Sequence, residues 1–188
     1  VTLAHDWGGL ISLGWAIEHQ NILSGVMLTN TAVYHDGVER IPAALRLALG
    51  VHELGTRDST AFLDVTLGLA QNQGRVPSEG DPGSSERALA GPQESQPRAL
   101  YPSKLHEGIR RTYRAPYAHP AWREGIRNFV GDIPTGTDIP SYAHMVRIAE
   151  GVRDLKVPAF FQWGTKDPVF QRRYLFDLMR RMPQAKVH

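Results

Sequence analysis

Asp6 is the residue in this sequence with the clearest potential for covalent chemistry. It lies in the segment His5-Asp6-Trp7-Gly8-Gly9, between a short apolar run at residues 1–4 and a helix-like run at residues 10–19. This order predicts a strand, a sharp turn and a helix, and a side chain at such a turn is exposed above the edge of the sheet. A carboxylate presented there can attack an electrophilic carbon and form a covalent ester.

The same segment also fits a plain strand-to-helix loop in which Asp6 caps the helix through its side chain. Three small residues, Ala4, Gly8 and Gly9, flank Asp6 together with the bulky Trp7. Helix capping alone does not require small neighbours, whereas a tight turn leaves no room for bulk. The composition of the segment therefore favours the turn that presents Asp6.

Asp167 is the second candidate carboxylate. It belongs to Gly164-Thr165-Lys166-Asp167-Pro168-Val169-Phe170, which follows the apolar run from Val157 to Trp163. A strand end and a glycine turn place this carboxylate on the same sheet edge as Asp6, where one carboxylate can attack and the other can orient a histidine. The alternative is that Asp167 caps a helix that starts at Pro168.

The elements that must position these carboxylates are short apolar strands alternating with helices. Strands are predicted over residues 1–5, 23–29, 157–163 and 185–188, and helices over residues 8–20 and 171–182. Continuous apolar strands that alternate with helices indicate an α/β fold with a parallel sheet buried on both faces.

A long segment between the second and third strands breaks this alternation. Helices are predicted over residues 42–54, 59–69, 105–113, 121–130 and 142–155, and residues 71–97 form a polar stretch rich in Gly, Pro and Ser that we expect to be a flexible loop. We therefore expect core segments that form the sheet at residues 1–33 and 151–188, with a helical cap at residues 34–150 over the carboxyl edge of the sheet.

Composition narrows the class of protein. The chain has 188 residues, a formal net charge of +2 and no cysteine. The small, scattered positive charge gives no reason to expect a nucleic-acid surface, and the arginine pairs at 110–111, 172–173 and 180–181 are typical of solvated helix faces. No apolar stretch is long enough to span a bilayer, and the lack of cysteine fits a cytoplasmic protein. No metal site or cofactor is expected, since the His-Asp and His-Glu pairs lack a third ligand.

The two carboxylates in this order, with a helical insertion between them, resemble the α/β-hydrolase superfamily. The elbow with an Asp nucleophile is similar to that of the haloalkane dehalogenase and epoxide hydrolase branch, and the Gly-x-Lys-Asp turn at residues 164–167 matches dehalogenase-like members. This resemblance implies the central and C-terminal half of the hydrolase fold with its helical cap.

Within that branch, three segments look like the β-lactone decarboxylases of bacterial long-chain olefin synthesis: residues 113–117, 128–134 and 167–170. The resemblance implies an enzyme that acts on a small hydrophobic substrate and converts a β-lactone into a cis-alkene and carbon dioxide. Haloalkane dehalogenation and epoxide hydrolysis remain alternatives. Epoxide opening needs two cap tyrosines, and the candidates are Tyr34, Tyr101, Tyr113, Tyr117 and Tyr142.

The resemblance also implies roles for individual residues. Asp6 would be the nucleophile, Trp7 would supply an oxyanion-hole N–H and bind the leaving group through its indole N–H, and Asp167 would hold the catalytic histidine. Further residues are expected to line the substrate pocket: Asn30, Tyr34, Trp122, Phe129 and Phe170.

Two departures from the family pattern matter. The family histidine should follow the strand that begins at Ala185, and its second oxyanion loop belongs upstream of residue 1. We therefore expect both ends to be truncated and the missing N-terminal part to come from the same enzyme or from another chain. A non-catalytic fragment that binds a hydrophobic ligand or a partner is the alternative outside enzymes.

Overall fold

The computed structural model of the chain describes residues 1–33, 54–72, 106–133 and 136–188. Its contacts divide the chain into two compact units, Val1–Gly50 with Asn128–His188 and Val51–Arg127. We call the first the sheet unit and the second the helical unit. The helix predicted over residues 42–54 and the loop predicted over residues 71–97 lie almost entirely outside the described residues, and the domain boundaries predicted from the sequence stay predictions.

Four parallel strands form the sheet, in the order β1-β2-β3-β4. The strands are β1 Thr2–His5, β2 Val26–Thr29, β3 Ala159–Gln162 and β4 Lys186–Val187. All four predicted strands are therefore present, although the ladders are shorter than the apolar runs. β3 begins only at Ala159 because Pro158 has no N–H to donate to a ladder. The carbonyl of Pro158 instead accepts from the N–H of Val26 at 2.9 Å.

Six α-helices are described: α1 Trp7–Glu18, α2 Ala61–Asn72, α3 Glu107–Arg114, α4 Glu124–Gly131, α5 Tyr142–Gly151 and α6 Arg172–Arg181. Shorter helical turns occur at Gln20–Ile22, Leu54–Asp58, Ala115–Tyr117, Pro120–Arg123 and Val152–Asp154. The predicted helices at 8–20, 59–69, 105–113, 121–130, 142–155 and 171–182 correspond to these elements. Within the described segments, no helix combines the length and hydrophobicity that a membrane crossing requires.

The core of the sheet unit lies on one face of the sheet. Leu28 and Phe161 are neighbours across β2 and β3, and both are fully buried. They belong to the same apolar cluster as Leu13 on α1, Ile148 on α5 and Leu178 on α6. Because the strands follow one another in a single direction, crossovers of the usual right hand place all three helices on this same side.

The opposite face of the sheet differs from the sequence-based expectation. Leu3, Met27, Phe160 and Lys186 form one row across the four strands. Leu3 is 70% exposed, and Met27 and Phe160 are only partly buried. Among the described residues, the predicted burial of both faces is not found, because a strand order without a reversal brings its crossover helices to one face.

One member of the arginine pairs is not solvated as predicted. Arg181 is 9% exposed, and its guanidinium pairs with Asp177 one helical turn earlier at 2.7 Å. It also donates to the carbonyl of Ala149 and contacts Glu150, at the end of α5. A buried arginine needs such partners, and this one ties α6 to α5. Arg180, the other member of the pair, is exposed.

Two arginines stabilise the helical unit, one through an ion pair and the other through hydrogen bonds to backbone carbonyls. Arg114 on α3 forms a close ion pair with Asp64 on α2 at 2.7 Å. Arg123 is buried and donates to the carbonyls of Arg57, Tyr117 and Ala118. These contacts satisfy backbone acceptors within the unit, which a buried segment requires.

Candidate active site

Asp6 occupies the sharp turn between β1 and α1. Its φ of 51° lies in the region that is strained for residues other than glycine. The turn is held through the Asp6 main chain: its N–H donates to the carbonyl of Asn30 at 3.2 Å, and its carbonyl accepts from the N–H of Gly9 at 3.0 Å and from Thr31 Oγ1 at 2.6 Å. The side chain makes no helix-capping hydrogen bond, so the capping alternative does not describe this residue.

The turn has no room for a side chain at position 9, but it has room at position 8. A Cβ atom on Gly9 would lie 2.1 Å from Thr31 Oγ1, inside any permissible contact distance. Thr31 is fully buried and bonded to Asp6, so it has no space into which to move. A Cβ on Gly8 would meet nothing within 4 Å. The expectation of a crowded turn is therefore confirmed at Gly9 and wrong at Gly8.

The surroundings of Asp6 raise the pKa of its carboxyl. Desolvation raises the pKa of the Asp6 carboxyl, and the charge of Asp167 raises this pKa further. The positive charge of His5 and the backbone N–H of Trp7 act in the opposite direction and lower the pKa. The residue keeps access to solvent, so the desolvation is partial. The effect of Asp167 on this pKa shows that the two carboxylates lie within electrostatic reach of each other.

Asp167 is held by its side chain. Its Oδ1 accepts from the N–H groups of Val169 at 2.8 Å and Phe170 at 2.9 Å, and its Oδ2 accepts from Asn30 Nδ2 at 2.9 Å. The predicted alternative, a helix cap before Pro168, does not describe this residue either. The next helix, α6, begins only at Arg172 and has Gln171 at its N-cap. Asp167 instead closes a turn and keeps a fixed orientation.

Asn30, which the sequence analysis assigned to the pocket, lies between the two carboxylates. It directly follows β2, the strand between β1 and β3, and only 9% of its surface is exposed. Its main chain contacts Asp6 and its side chain contacts Asp167. The sheet order thus brings together three residues that are far apart in the sequence.

Trp7 and Phe129 face each other in the sheet unit. Their ring centroids are 5.6 Å apart, and Phe129 remains 50% exposed. Both rings line a groove of about 420 Å³ that runs between α1 and α5. Its other lining residues are Leu10, Ile11, Gly14, Trp15, Glu18, Asp132, Ser141, His144, Met145, Arg147 and Ile148. Neither Asp6 nor Asp167 lines this groove.

The remaining predicted pocket residues are distributed differently. Phe170 is partly buried against the core, and its ring lies 6.4 Å from that of His5. Trp122 belongs to the helical unit, where it is 61% exposed and contacts His119. Tyr34 lies outside the described residues, as does Tyr101. The assignment of these residues to a substrate pocket stays a prediction.

Sequence reasoning missed Thr31, which braces the Asp6 turn, because a buried threonine at a strand end gives no local signal of its partner. A signal was available in retrospect: a glycine at position 9 is consistent with a neighbour that occupies its side-chain space, and Thr31 is that neighbour. The bond joins residues 25 positions apart and depends on the pairing of β1 with β2.

Comparison with known proteins finds relatives that are similar in sequence. No protein-family model matches the sequence. A cis-3-alkyl-4-alkyloxetan-2-one decarboxylase from Xanthomonas campestris pv. campestris is 30% identical over 193 residues, covering 100% of this chain and 54% of the relative. A protein of the same name from Shewanella oneidensis is 29% identical over 191 residues, covering 99% of this chain and 51% of the relative. The chain thus spans about half the length of the curated relatives it matches.

Solved structures with a similar fold are haloalkane dehalogenases. The enzyme from Bradyrhizobium elkani matches with a TM-score of 0.66 at 17% identity, over 98% of this chain and 56% of that one. The enzyme from Paraglaciecola agarilytica matches with a TM-score of 0.61 at 18% identity, over 99% of this chain and 51% of that one. At these identities the likeness establishes the fold. The comparisons therefore confirm the resemblance to the α/β-hydrolase superfamily, and the chain has part of its dehalogenase-like fold.

Proposed function

We propose that this chain carries the nucleophile and the acid of an enzyme that decarboxylates β-lactones with two alkyl substituents. Asp6 is the proposed nucleophile, and Asp167 is the proposed acid. The observation that carries the proposal is the strained turn at Asp6, which presents a carboxylate beside a second, rigidly held carboxylate. The names of the two curated relatives support this substrate class.

The conformation of Asp6 supports a chemical role over a structural one. A positive φ at a residue other than glycine costs of order 1–3 kcal/mol, and such strain persists where the surrounding structure enforces it. Three hydrogen bonds of the Asp6 main chain enforce it here: its N–H donates to the Asn30 carbonyl, and its carbonyl accepts from Thr31 Oγ1 and the Gly9 N–H. None of them uses the carboxylate, which the Trp7 N–H contacts and which we propose faces the substrate.

The proposed reaction needs no water and no cofactor. The Asp6 carboxylate attacks the alkyl-bearing ring carbon that is bonded to the ring oxygen, not the carbonyl carbon. The bond between that carbon and the ring oxygen breaks, which leaves an ester of Asp6 and a free substrate carboxylate. The bond to this new carboxylate then breaks and releases carbon dioxide. Its electron pair forms the double bond, while the Asp6 carboxylate departs with the electrons of the ester bond. Inversion at the attacked carbon followed by anti elimination converts a cis-lactone into a cis-alkene.

The raised pKa of the Asp6 carboxyl fits this scheme. A carboxylate that is partly desolvated and close to another negative charge is a better nucleophile than one fully hydrated in water. The positive charge of His5 and the Trp7 N–H limit the increase.

The resemblance implies that the proposed acid, Asp167, orients a histidine. The described donors to Asp167 are Asn30, Val169 and Phe170, and no histidine is among them. A carboxylate has about four acceptor positions, so these three donors leave one position on Oδ2 for a further N–H. His188, whose main chain pairs with Phe161 and Trp163 at the end of the sheet, is not among these donors.

The test is reaction with a cis-3,4-dialkyl β-lactone, followed by gas chromatography for the alkene and intact mass measurement of the protein. We expect cis-alkene, or a lactone adduct that maps to the peptide containing Asp6. A 1-iodoalkane serves as a second probe, because alkylation of Asp6 needs no lactone ring. Halide release with alcohol formation would instead favour dehalogenation.

Asp154→Asn is a matched control for this experiment. Asp154 is an exposed carboxylate in the sheet unit, in the turn Val152–Asp154, and the mechanism does not use it. The control variant should react like the unmodified protein, whereas Asp6→Asn should not react. Absence of alkene, of released halide and of any adduct on the Asp6 peptide would overturn the proposed function.

A further inference from the structure

Asn30 is the residue through which the two carboxylates are physically connected. Its carbonyl accepts the N–H of Asp6 at 3.2 Å, and its Nδ2 donates to Asp167 Oδ2 at 2.9 Å. One residue thus contacts the main chain of the first acid and the carboxylate of the second. Nothing in a strand end requires this arrangement, so it calls for an explanation.

The orientation of the Asn30 amide is fixed by its partners. Oδ1 accepts the N–H of Gly164 at 2.8 Å, and Nδ2 donates to the carbonyl of Gly164 at 3.0 Å as well as to Asp167. A backbone N–H can only donate, and a carbonyl or carboxylate can only accept, so the reversed amide would lose all three bonds. Every polar atom of the Asn30 side chain is therefore used.

The backbone conformation at position 30 also suits asparagine. Its φ of 26° is positive, which asparagine tolerates better than most residues. Glycine tolerates it too but has no amide, and glutamine is longer and does not share this backbone preference. Asparagine therefore meets both demands at this position: a left-handed strand end and a short amide that reaches the third strand.

We propose that Asn30 is a positioning residue that sets the separation and orientation of Asp6 and Asp167. Its side chain occupies one acceptor position of Asp167 and holds the carboxylate against the Val169 and Phe170 N–H groups, leaving the remaining position in a fixed direction. Its carbonyl holds the Asp6 turn from the same strand end. The inference rests on the proposed function for the importance of Asp167, although its test needs no turnover.

The competing explanation is that Asn30 only ties β2 to the turn at Gly164. Asn30→Asp, combined with Asp167→Asn, separates the two. The aspartate keeps the shape, the tolerance of positive φ and an acceptor for the Gly164 N–H, but it loses the donor to the Gly164 carbonyl and places a second carboxylate against Asp167. Only the second of these losses depends on the residue at position 167. Two carboxylates at hydrogen-bond distance repel each other, and Asp6, whose pKa Asp167 raises and His5 lowers, adds a third negative charge nearby.

The experiment is a double-mutant cycle of Asn30→Asp and Asp167→Asn, read by urea denaturation at pH 7 and pH 4. We expect Asn30→Asp to lower the denaturation midpoint at pH 7 and to recover as one of the facing carboxyl groups is protonated in acid. The added Asp167→Asn should restore most of the loss at pH 7, because an amide again faces a carboxylate. A loss that is the same with Asp or Asn at position 167, and the same at both pH values, would overturn the inference.

Amide hydrogen exchange gives a second readout that reports position rather than stability. The Val169 and Phe170 N–H groups bond to Asp167 Oδ1, and they should exchange about tenfold faster when Asn30→Asp displaces that carboxylate. Asn30→Gly, which keeps the positive φ without the amide, provides a variant whose folding is not opposed by charge. Unchanged exchange at both amides in this variant would contradict the inference. Adduct formation on Asp6 is scored separately, so failure of the proposed function is distinguishable from failure of the positioning role.

Discussion

The turns that carry Asp6 and Asp167 are built in opposite ways. At Asp6 the main chain is held by Asn30, Thr31 and Gly9, and the φ of 51° is strained. At Asp167 the side chain is held by three donors. The first arrangement fixes the main chain and leaves the carboxylate with the Trp7 N–H beside it, whereas the second fixes the carboxylate oxygens through three donors.

This difference supports the proposed roles of Asp6 as nucleophile and Asp167 as orienting acid, without reference to any relative. A nucleophile must have an unoccupied oxygen and an approach to the substrate. An acid that orients a partner must keep a single direction, which needs fixed hydrogen bonds. Asp6 follows β1 and Asp167 follows β3, at the same edge of the sheet. The difference between the two residues therefore arises from the hydrogen bonds around each one, and not from the edge of the sheet on which it lies.

The largest expected effect is loss of reaction in Asp6→Asn. The amide keeps the size and the turn but cannot attack carbon as a carboxylate does, so alkene formation or alkylation should fall at least about 10³-fold. Alkene measured by gas chromatography, with circular dichroism to verify the fold, checks this prediction. Reaction at the unmodified rate would remove Asp6 from the mechanism and would abolish the contrast between the two turns.

The second effect tests whether packing enforces the Asp6 turn. Gly9→Ala should destabilise the protein by about 3 kcal/mol, because the new methyl group overlaps Thr31 Oγ1 and overpacking of a buried site costs about 1–3 kcal/mol. Gly8→Ala is the matched control: its methyl group meets nothing within 4 Å, and alanine is favoured over glycine in a helix by about 1 kcal/mol. Urea denaturation of both variants should give shifts of opposite sign. Equal shifts would show that Thr31 yields and that the turn is not held by its packing.

The third effect concerns the hydroxyl that braces the turn. Thr31→Val keeps the shape of a fully buried side chain and removes its hydrogen bond to the Asp6 carbonyl. The carbonyl still accepts from Gly9, so the free energy of unfolding should fall by only about 1 kcal/mol. If strain at Asp6 depends on this bond, the rate of adduct formation should fall as well. An unchanged rate alongside lower stability would limit Thr31 to a structural role.

The sequence predicted the two carboxylates and their strands because these features are local. The apolar runs, the glycine beside Asp6 and the Gly-x-Lys-Asp turn each lie within about ten residues. The links between the turns were not predictable in this way. Asn30 and Asp167 are 137 positions apart, and their hydrogen bond exists only because β2 pairs with β3.

Two predictions about burial were wrong because they too depend on contacts between distant parts of the chain. The apolar character of Leu3 predicted a buried residue, and the charge of Arg181 predicted an exposed one. In the structure, Leu3 is exposed and Arg181 is buried. Leu3 is exposed because the crossover helices lie on the other face of the sheet. Arg181 is buried because α5 ends beside it and supplies acceptors. Residue type sets the cost of burial, whereas topology decides which residues are buried.

The smallest expected effect is the pH dependence of stability caused by Asp6. Because the pKa of its carboxyl is raised on folding, the folded protein holds this proton more tightly than the unfolded chain. The protonated form therefore stabilises the fold fully below the ordinary value of 3.8, and this contribution is lost as pH rises through the folded pKa. At pH 7 the ionised carboxylate opposes folding.

Asp6→Asn should consequently be slightly more stable than the unmodified protein at pH 7, with a difference that shrinks as the pH falls below 4. Urea denaturation of the two proteins across this range measures the difference, and Asp154→Asn, at an exposed carboxylate, controls for the general loss of one charge. A variant that is less stable at pH 7 would mean that the Asp6 carboxylate is held by favourable contacts. Asp6 would then resemble Asp167, an orienting group, and the contrast on which its role as nucleophile depends would be lost.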